Sequence, residues 1–196
     1  MTEGPPPPES RQKDVPDADH PAHVRTRPLL RHARAPRIRP AQILVAWLGA
    51  FAGIAALALL VDLFPGLQLL VIGSFGASAV LLFAAPGAPF SQPRNLIGGH
   101  VISAIAGVAC YRYLPDLLFL QEAAAVATAI ALMMATRTIH PPGGATALIA
   151  VIGPDAVRGL GWAYVFPVLA GALLLMLVAI VSNNLFVRGS YPDRWV

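Results

Sequence analysis

The chain has 196 residues, of which 56% are hydrophobic and only 12% are charged, and its mean hydropathy of +0.64 is too high for an ordinary soluble domain. Eight of its fourteen lysines and arginines lie before residue 40, so the long remainder carries little charge. This composition excludes a soluble globular domain. It indicates an all-α, polytopic membrane protein with a basic tail, for which we expect membrane lipid as a partner and no nucleic acid.

The first 40 residues contain "PPPP" and mix Pro, Arg, Asp and His without apolar periodicity. Such a segment cannot bury enough apolar surface to fold alone, so we expect residues 1–40 to be a disordered cytoplasmic tail. No apolar stretch follows Met1, and we therefore expect the tail to belong to the mature protein rather than to a cleaved signal peptide. The other predicted regions are a transmembrane domain over 41–187 and a short C-terminal tail over 188–196.

Six apolar segments follow the tail. A helix needs about 20 residues to cross a hydrocarbon core of roughly 30 Å, and four segments have about that length without interruption: 41–61, 95–114, 119–136 and 161–186. The segment 67–85 has "GSFG" near its centre, and the segment 144–153 has ten residues, which reach about 15 Å as a helix. The predicted fold is four full spans and two interrupted or half-spanning helices.

Lysines and arginines in the connections predict the orientation, because positively charged flanks stay on the cytoplasmic side. If all six segments cross, the cytoplasmic side holds twelve of these residues against two. If one or both interrupted segments fold back, the split is eleven against three. The tail dominates each count. We therefore expect a multi-pass protein of the cell membrane with a cytoplasmic N-terminus, while four, five and six crossings stay open.

Two stretches of the chain resemble each other. "GASAVLLFAAP" at 76–86 aligns with "GATALIAVIGP" at 144–154 at a constant offset of 68, with Ser78 facing Thr146. The alignment suggests two units, each a full helix, an interrupted helix and another full helix. Three crossings per unit would invert the second unit, as in many transporters, whereas two crossings and a re-entrant piece would make the units parallel. Chance alignment is the alternative, because alanine and glycine are common here.

The stretch "HPPGGAT" at 140–146 interrupts the helical pattern. A residue before a proline is disfavoured in helical conformation, so we expect His140 and Pro141 to be extended. The fourth helix should then end near Ile139, and a new helix should start at Ala145. The glycines of the earlier "GSFGAS" would open the other short helix at the corresponding place.

Both short helices are thus predicted to begin inside the membrane. A helix N-terminus presents unpaired N–H donors and about half a positive charge, so two such ends at one interface would bind an anion. The predicted binding residues are glycines at the helix starts and neighbouring hydroxyl residues: Gly76, Gly143, Gly144, Ser74, Ser78 and Thr146. The alternative is that the glycines allow close helix packing and the hydroxyls cap locally.

His100 and His140 are the histidines outside the tail, and both lie at or beside apolar segments. Ionisable residues in such places are functional by default. We predict that His140 binds an anion when protonated or carries a proton with it, and that His100 lines the same pathway. For His140 the alternative is a neutral ring bonded to a backbone carbonyl. Arg94 and Asn95, in "QPRN", are predicted to recruit an anion at the cytoplasmic mouth, although Arg94 also fits an ordinary positive-inside residue.

These motifs together resemble a known family. "HPPGGATAL" at 140–148, with "GSFGASAVLLFAAP", "QPRN" and "GGH" earlier in the chain, is similar to the HPP family of integral membrane proteins over roughly residues 41–187. The resemblance implies a compact helical membrane protein, usually described with four spans, and some members are implicated in nitrite transport in cyanobacteria and chloroplasts. Four spans agree with six segments if the interrupted ones are counted as non-spanning. The CBS domains appended in some members are not visible in this sequence.

The leading functional hypothesis is a transporter or channel for a small inorganic anion, with nitrite as the candidate through the resemblance alone. One alternative is a non-transporting structural or sensory membrane protein. Another is an intramembrane serine hydrolase that uses Ser78 with a histidine, although no acidic residue is clearly placed to orient the base. We predict no enzyme and no cofactor. We also predict no metal site, because two histidines and the single cysteine, Cys110, offer too few ligands. A homo-oligomer stays open.

Overall fold

The computed structural model describes residues 38–63, 73–186 and 191–195. The predictions for residues 1–37, for the start of the second segment at 67–72 and for 188–190 lie outside the described residues. All regular structure in the described part of the chain is helical. The helices are α1 Pro40–Leu63, α2 Gly73–Ala79 with a wider π-helical turn Val80–Ala84, α3 Pro93–Tyr113, α4 Leu118–Thr136, α5 Pro142–Ile152, α6 Asp155–Arg158 and α7 Val165–Phe186. Short 3-10 turns lie at Pro89–Ser91 and Gly161–Tyr164.

Three helical stretches in the described part of the chain are long and apolar enough to cross a membrane: α1, α4 and Gly161–Leu185, which includes most of α7. They correspond to three of the four predicted full spans. The remaining one, α3, has 21 residues and is about 31 Å long at 1.5 Å per residue. Its composition is more polar because α3 packs against other helices over much of its surface, where polar side chains find protein partners. The number of crossings stays a prediction.

The end of α4 agrees with the predicted segment 119–136 but not with the end near Ile139 that the prolines predicted. The helix ends at Thr136, three residues before the predicted end at Ile139. Arg137 adopts the left-handed conformation with φ of 57°, and the N–H of Thr138 bonds to the carbonyl of Met133 at 2.9 Å. These features form a Schellman-type cap, which ends a helix before the prolines are reached.

The start of α5 also differs from our prediction. The helix begins at Pro142 rather than at Ala145, because proline is favoured in the first helical position, where its missing N–H is not needed. We predicted an extended conformation for Pro141, but its φ of −51° and ψ of −39° are helical. The N–H of Gly144 bonds to the carbonyl of Pro141 at 3.1 Å, and this bond stabilises the early turn.

α3 packs against α4, α5 and α7, and α1 packs against α7. α3 and α5 approach each other closely at Gly107, where an added Cβ would lie 2.8 Å from the Cβ of Ala150 and 2.9 Å from the Cα of Ala147. One apolar core joins α1, α2, α3, α5 and α7, and another joins α3, α4 and α5. Both cores therefore include α3 and α5, the helices that flank the polar site described below.

The helix pairs agree with the two predicted three-helix units. In these units α1 corresponds to α4, α2 to α5 and α3 to α7. The contact between α1 and α7 then corresponds to the contact between α4 and α3, and both contacts are present. The two short helices, α2 and α5, contact each other. The repeat and its orientation stay predictions.

Residues 191–195 lie against the link between α2 and α3. The hydroxyl of Tyr191 donates to the carbonyl of Ser91 at 2.7 Å, and burial raises the pKa of this hydroxyl, which therefore stays a donor. The side-chain carbonyl of Gln92 accepts bonds from the N–H groups of Asp193 and Arg194 at 2.9 and 3.1 Å. These contacts stabilise the link in the position that the site requires.

Candidate functional site

Five polar side chains meet inside the molecule, each with no exposed surface. We call them the histidine–hydroxyl cluster; its members are Ser74 and Ser78 from α2, His100 from α3, His140 from the residues before α5 and Thr146 from α5. A buried polar group without a partner costs about 1–3 kcal/mol by mutational data and more in hydrocarbon. The cluster is therefore stable only if its members bond to one another or to the backbone.

Ser78 lies between the two histidines. Its Oγ is 2.8 Å from Nε2 of His100 and 2.8 Å from Nε2 of His140. The ring centroids of the two histidines are 4.8 Å apart. The same Oγ is 3.1 Å from the carbonyl of Ser74, four residues earlier in the helix. A single hydroxyl thus joins two titratable rings.

The cluster continues from the other nitrogen of each ring. Nδ1 of His140 is 2.8 Å from the backbone carbonyl oxygen of Phe90, in the turn between α2 and α3. Nδ1 of His100 is 2.8 Å from Oγ1 of Thr146, which is 2.9 Å from Oγ of Ser74. Every ring nitrogen therefore has a hydrogen-bond partner within the protein.

Helical spacing explains why the hydroxyl groups of α2 lie together in the cluster. Ser74 and Ser78 are four residues apart, so they lie on one face of α2. Ser78 and Thr146, which correspond in the predicted repeat, contact opposite nitrogens of the same ring, that of His100. The two short helices thus present equivalent groups to one histidine of α3.

Glycines allow the chain before α5 to reach α3. A Cβ added at Gly99 would overlap the Cβ of His140 and lie 3.0 Å from the carbonyl oxygen of Thr138. A Cβ added at Gly143 would lie 2.6 Å from Oγ of Ser103 and 3.0 Å from the carbonyl oxygen of Gly99. A larger residue at either position would therefore separate His140 from His100.

No Asp, Glu, Lys or Arg is buried in the part of the chain that the structure describes. A proton added to either histidine would therefore be a positive charge without a buried counter-ion. Desolvation makes such a charge costly unless an anion accompanies it. In this conformation burial favours neutral rings, and His140 has the backbone-carbonyl contact of the alternative predicted for it.

Arg94 and Asn95 contact the backbone between α4 and α5. Nη2 of Arg94 donates to the carbonyl of Thr136 at 3.0 Å, and Nδ2 of Asn95 donates to the carbonyl of Ile139 at 2.7 Å. In this geometry both side chains position the residues that lead into His140. Their predicted role in recruiting an anion stays a prediction.

The three glycines predicted to bind an anion are not equivalent. Gly76 is exposed, and an added Cβ would meet nothing within 4 Å, so the structure does not bring it into the cluster. Gly143 and Gly144 lie in the first turn of α5, but their N–H groups already bond to the carbonyls of His140 and Pro141 at 2.8 and 3.1 Å. An anion in this conformation would find the hydroxyls and ring nitrogens rather than these amides.

Sequence reasoning missed three contributors to the cluster. Phe90 supplies a backbone carbonyl, which no side-chain pattern reveals. Phe75 packs edge-on against His100 with ring centroids 5.1 Å apart, and its place in "GSFG" beside Ser74 was the available signal. Tyr164 donates its hydroxyl to the backbone carbonyl of Thr146 at 3.2 Å. Only the packing of the helices reveals this contact.

The arrangement has two chemical capabilities. Rings and hydroxyls in continuous hydrogen-bond contact are able to pass a proton. A serine hydroxyl 2.8 Å from an imidazole nitrogen also has the separation of a nucleophile from its general base. Ser78 has no exposed surface, so a substrate would reach it only after the helices move.

Comparison with known proteins identifies the family. The model of the HPP transmembrane region matches residues 35–192, most of the chain. Two proteins of Dictyostelium discoideum, each named a transmembrane protein, are 43% identical to this chain over 155 residues. These matches cover 76% of this chain and 54% and 50% of the relatives, so the chain spans about half the length of the curated relatives it matches. No solved structure matches. The chain is an integral membrane protein and belongs to the HPP transmembrane family.

Proposed function

We propose that this protein moves a small inorganic anion, such as nitrite, across the membrane through the histidine–hydroxyl cluster. The observation that carries the proposal is the placement of two fully buried histidines, bridged by Ser78, between two short helices of a membrane protein. Ionisable groups in such places mark ion and substrate pathways.

The chemistry of the cluster suits a small anion. The hydroxyls of Ser74, Ser78 and Thr146 are donors that an oxyanion accepts, and a protonated His140 would add a positive charge. The two short helices contact each other through the hydroxyls of Ser74 and Thr146, 2.9 Å apart, which brings donors from both helices into one region. Nitrite is named because the family resemblance implies it.

We also propose that the protein resides in the cell membrane with a cytoplasmic N-terminus. The excess of lysine and arginine in the first 40 residues supports this orientation. If the segment 67–85 crosses the membrane, Arg94 and Arg137 lie on the cytoplasmic side with the start of α5, and Arg112 lies on the other side; if that segment folds back, these sides are exchanged.

The test is uptake of nitrite and, separately, nitrate into proteoliposomes that contain the purified protein, with protein-free liposomes to subtract passive entry of nitrous acid. We expect His140→Ala to lower uptake at least tenfold across the pH range tested, because the ring joins Ser78 to the carbonyl of Phe90. The matched control is Gln121→Leu. Gln121 is also buried, but it bonds to the backbone at the other end of α3.

Two results would contradict the proposal. If His140→Ala transports as well as the unchanged protein at every pH, His140 has no role in the pathway. If the unchanged protein moves neither anion under any gradient, the protein is not a transporter of this class, and a structural or sensory role replaces it.

The contact between Ser78 and the histidines supports a second candidate, an intramembrane serine hydrolase. A hydrolase would react with a fluorophosphonate probe in lipid, and Ser78→Ala would lose the label. Absence of labelling in the unchanged protein, with the probe active on a control enzyme, removes this candidate.

A further inference from the structure

We propose that the histidine–hydroxyl cluster is a proton relay, so that the anion of the proposed function crosses together with one proton. The inference rests on the proposed function, and it adds the coupling ion and the three side chains that pass it: His100, Ser78 and His140. The order follows from which groups are able to donate and which are able only to accept.

One end of the relay is set by Phe90. A carbonyl oxygen accepts but never donates, so Nδ1 of His140 must carry a hydrogen to make its 2.8 Å contact with Phe90. When His140 is neutral, its Nε2 is then an acceptor. The hydroxyl of Ser78, 2.8 Å away, must donate to it.

The choice at Thr146 determines the other histidine. The hydroxyl of Thr146 donates to Oγ of Ser74 at 2.9 Å, so it has no hydrogen for His100, and Nδ1 of His100 must donate to Thr146 Oγ1 at 2.8 Å. Neutral His100 is then an acceptor at Nε2, as His140 is. The single hydrogen of Ser78 points to His140, so Nε2 of His100 faces Ser78 Oγ at 2.8 Å without a hydrogen between them. The neutral cluster therefore lacks one hydrogen, and the two histidines are the same tautomer.

One added proton completes the contacts of Ser78. Bound at Nε2 of His100, it allows that ring to donate to Ser78 Oγ while the Ser78 hydroxyl donates to Nε2 of His140. His100 then releases its Nε2 hydrogen to Ser78, and Ser78 gives its own hydrogen to Nε2 of His140. His140 ends with hydrogens on both nitrogens and with the single added positive charge, and His100 is neutral again. No oxidant or other reactant is needed.

The surroundings leave that charge without compensation. Neither α2, α5 nor the 86–92 link contains a titratable side chain. Among the described residues packed around the pair, Tyr164 is bonded to the carbonyl of Thr146, and Arg94 is exposed and bonded to Thr136. The remaining titratable groups of α3 and α4 sit at the far ends of these helices: Cys110, Tyr111, Arg112 and Tyr113 on α3, and Glu122 on α4. An anion beside His140 is therefore the available counter-charge, and it couples the two movements.

The test measures anion and proton movement in the same proteoliposomes, with nitrite or nitrate outside, a trapped pH dye inside and the membrane voltage clamped by potassium and valinomycin. We expect one proton to enter with each anion. Ser78→Ala interrupts the relay between the two rings, and we expect it to lower anion-driven proton entry at least tenfold.

The matched control is Ser103→Ala. Ser103 is equally buried and lies three residues after His100 on α3, but its hydroxyl donates only to Sδ of Met133 at 3.7 Å. We expect this variant to keep the proton-to-anion ratio. A second interrupting variant, His100→Gln, keeps donor and acceptor atoms but not the exchange of a ring proton. Elution as a single species in detergent establishes that each variant is folded.

The outcomes separate the two proposals. Anion entry without protons in the unchanged protein, or equal proton entry in Ser78→Ala and Ser103→Ala, overturns the relay and leaves anion transport standing. Proton entry that Ser78→Ala abolishes, with no anion moved, overturns anion transport and the coupling, and leaves only proton transfer through Ser78. If neither ion moves, both proposals fall.

Nitrogen NMR of histidine-labelled protein in lipid gives an independent readout. In the neutral state we expect both His140 and His100 to be protonated at Nδ1, with the signals assigned from His140→Ala and His100→Gln. A neutral histidine protonated at Nε2 would overturn this arrangement of hydrogens.

Discussion

The two short helices reach the same histidine but are packed very differently. α5 lies against α3 and α4, and backbone meets backbone where Gly107 faces Ala147. α2 has a wide π-helical end and an exposed Gly76, and an aromatic ring, Phe75, fills its contact with Gly171 of α7.

This difference indicates which helix is able to move. The backbone contacts between α3 and α5 leave no space for a shift, whereas the Phe75 ring between α2 and α7 is able to rotate. We therefore expect α5 to fix Thr146 against His100 and α2 to carry Ser78 away when the pathway opens. The contact of Ser78 with both histidines is the one such a movement would break.

The largest expected effect comes from replacing a glycine by alanine at each of two helix contacts, that of α3 with α5 and that of α2 with α7. Gly107→Ala places a Cβ against the backbone of Ala147, and we expect it to lower the free energy of unfolding by about 3 kcal/mol. At Gly171 the three atoms nearest to an added Cβ all belong to the ring of Phe75, which is able to tilt, so we expect Gly171→Ala to cost about 1 kcal/mol with a larger fall in anion uptake. Thermal unfolding in detergent measures stability. Equal losses of stability would mean that the two helices are held equally tightly.

An intermediate effect is expected at the hydroxyl that α5 supplies. Thr146→Val keeps the side-chain shape but leaves Nδ1 of His100 without its partner, which costs about 1–3 kcal/mol. We expect anion-driven proton entry to fall along with stability, and Thr146→Ser to restore both. If Thr146→Val is as stable as the unchanged protein, His100 does not depend on α5.

The smallest effect is expected on the exposed side of α2. Gly76→Ala adds a Cβ where nothing lies within 4 Å, and alanine favours a helix over glycine by about 0.5–1 kcal/mol. We expect equal or slightly higher thermal stability and unchanged nitrite uptake. A marked fall in uptake with intact folding would instead support the predicted role of Gly76 in anion binding.

The sequence predicted much of the fold because helices depend on local features. Apolar segments of about 20 residues give α1, α4 and α7, and the proline and glycine pairs give the break before α5. The errors are local as well. α4 ends three residues early and α5 begins three residues early because capping bonds, and not only the prolines, decide where a helix ends.

The sequence by itself determined which residues carry the polar chemistry: the two histidines outside the tail and the hydroxyls of the two short helices stand out because polar groups are rare in apolar segments. The tertiary structure decided how they are joined. Ser78 lies 22 residues from His100 and 62 from His140 in the chain, so no local rule brings the three together. Only the packing of α2, α3 and α5 places one hydroxyl between two rings, and only the turn at Phe90 supplies the carbonyl that orders their hydrogens.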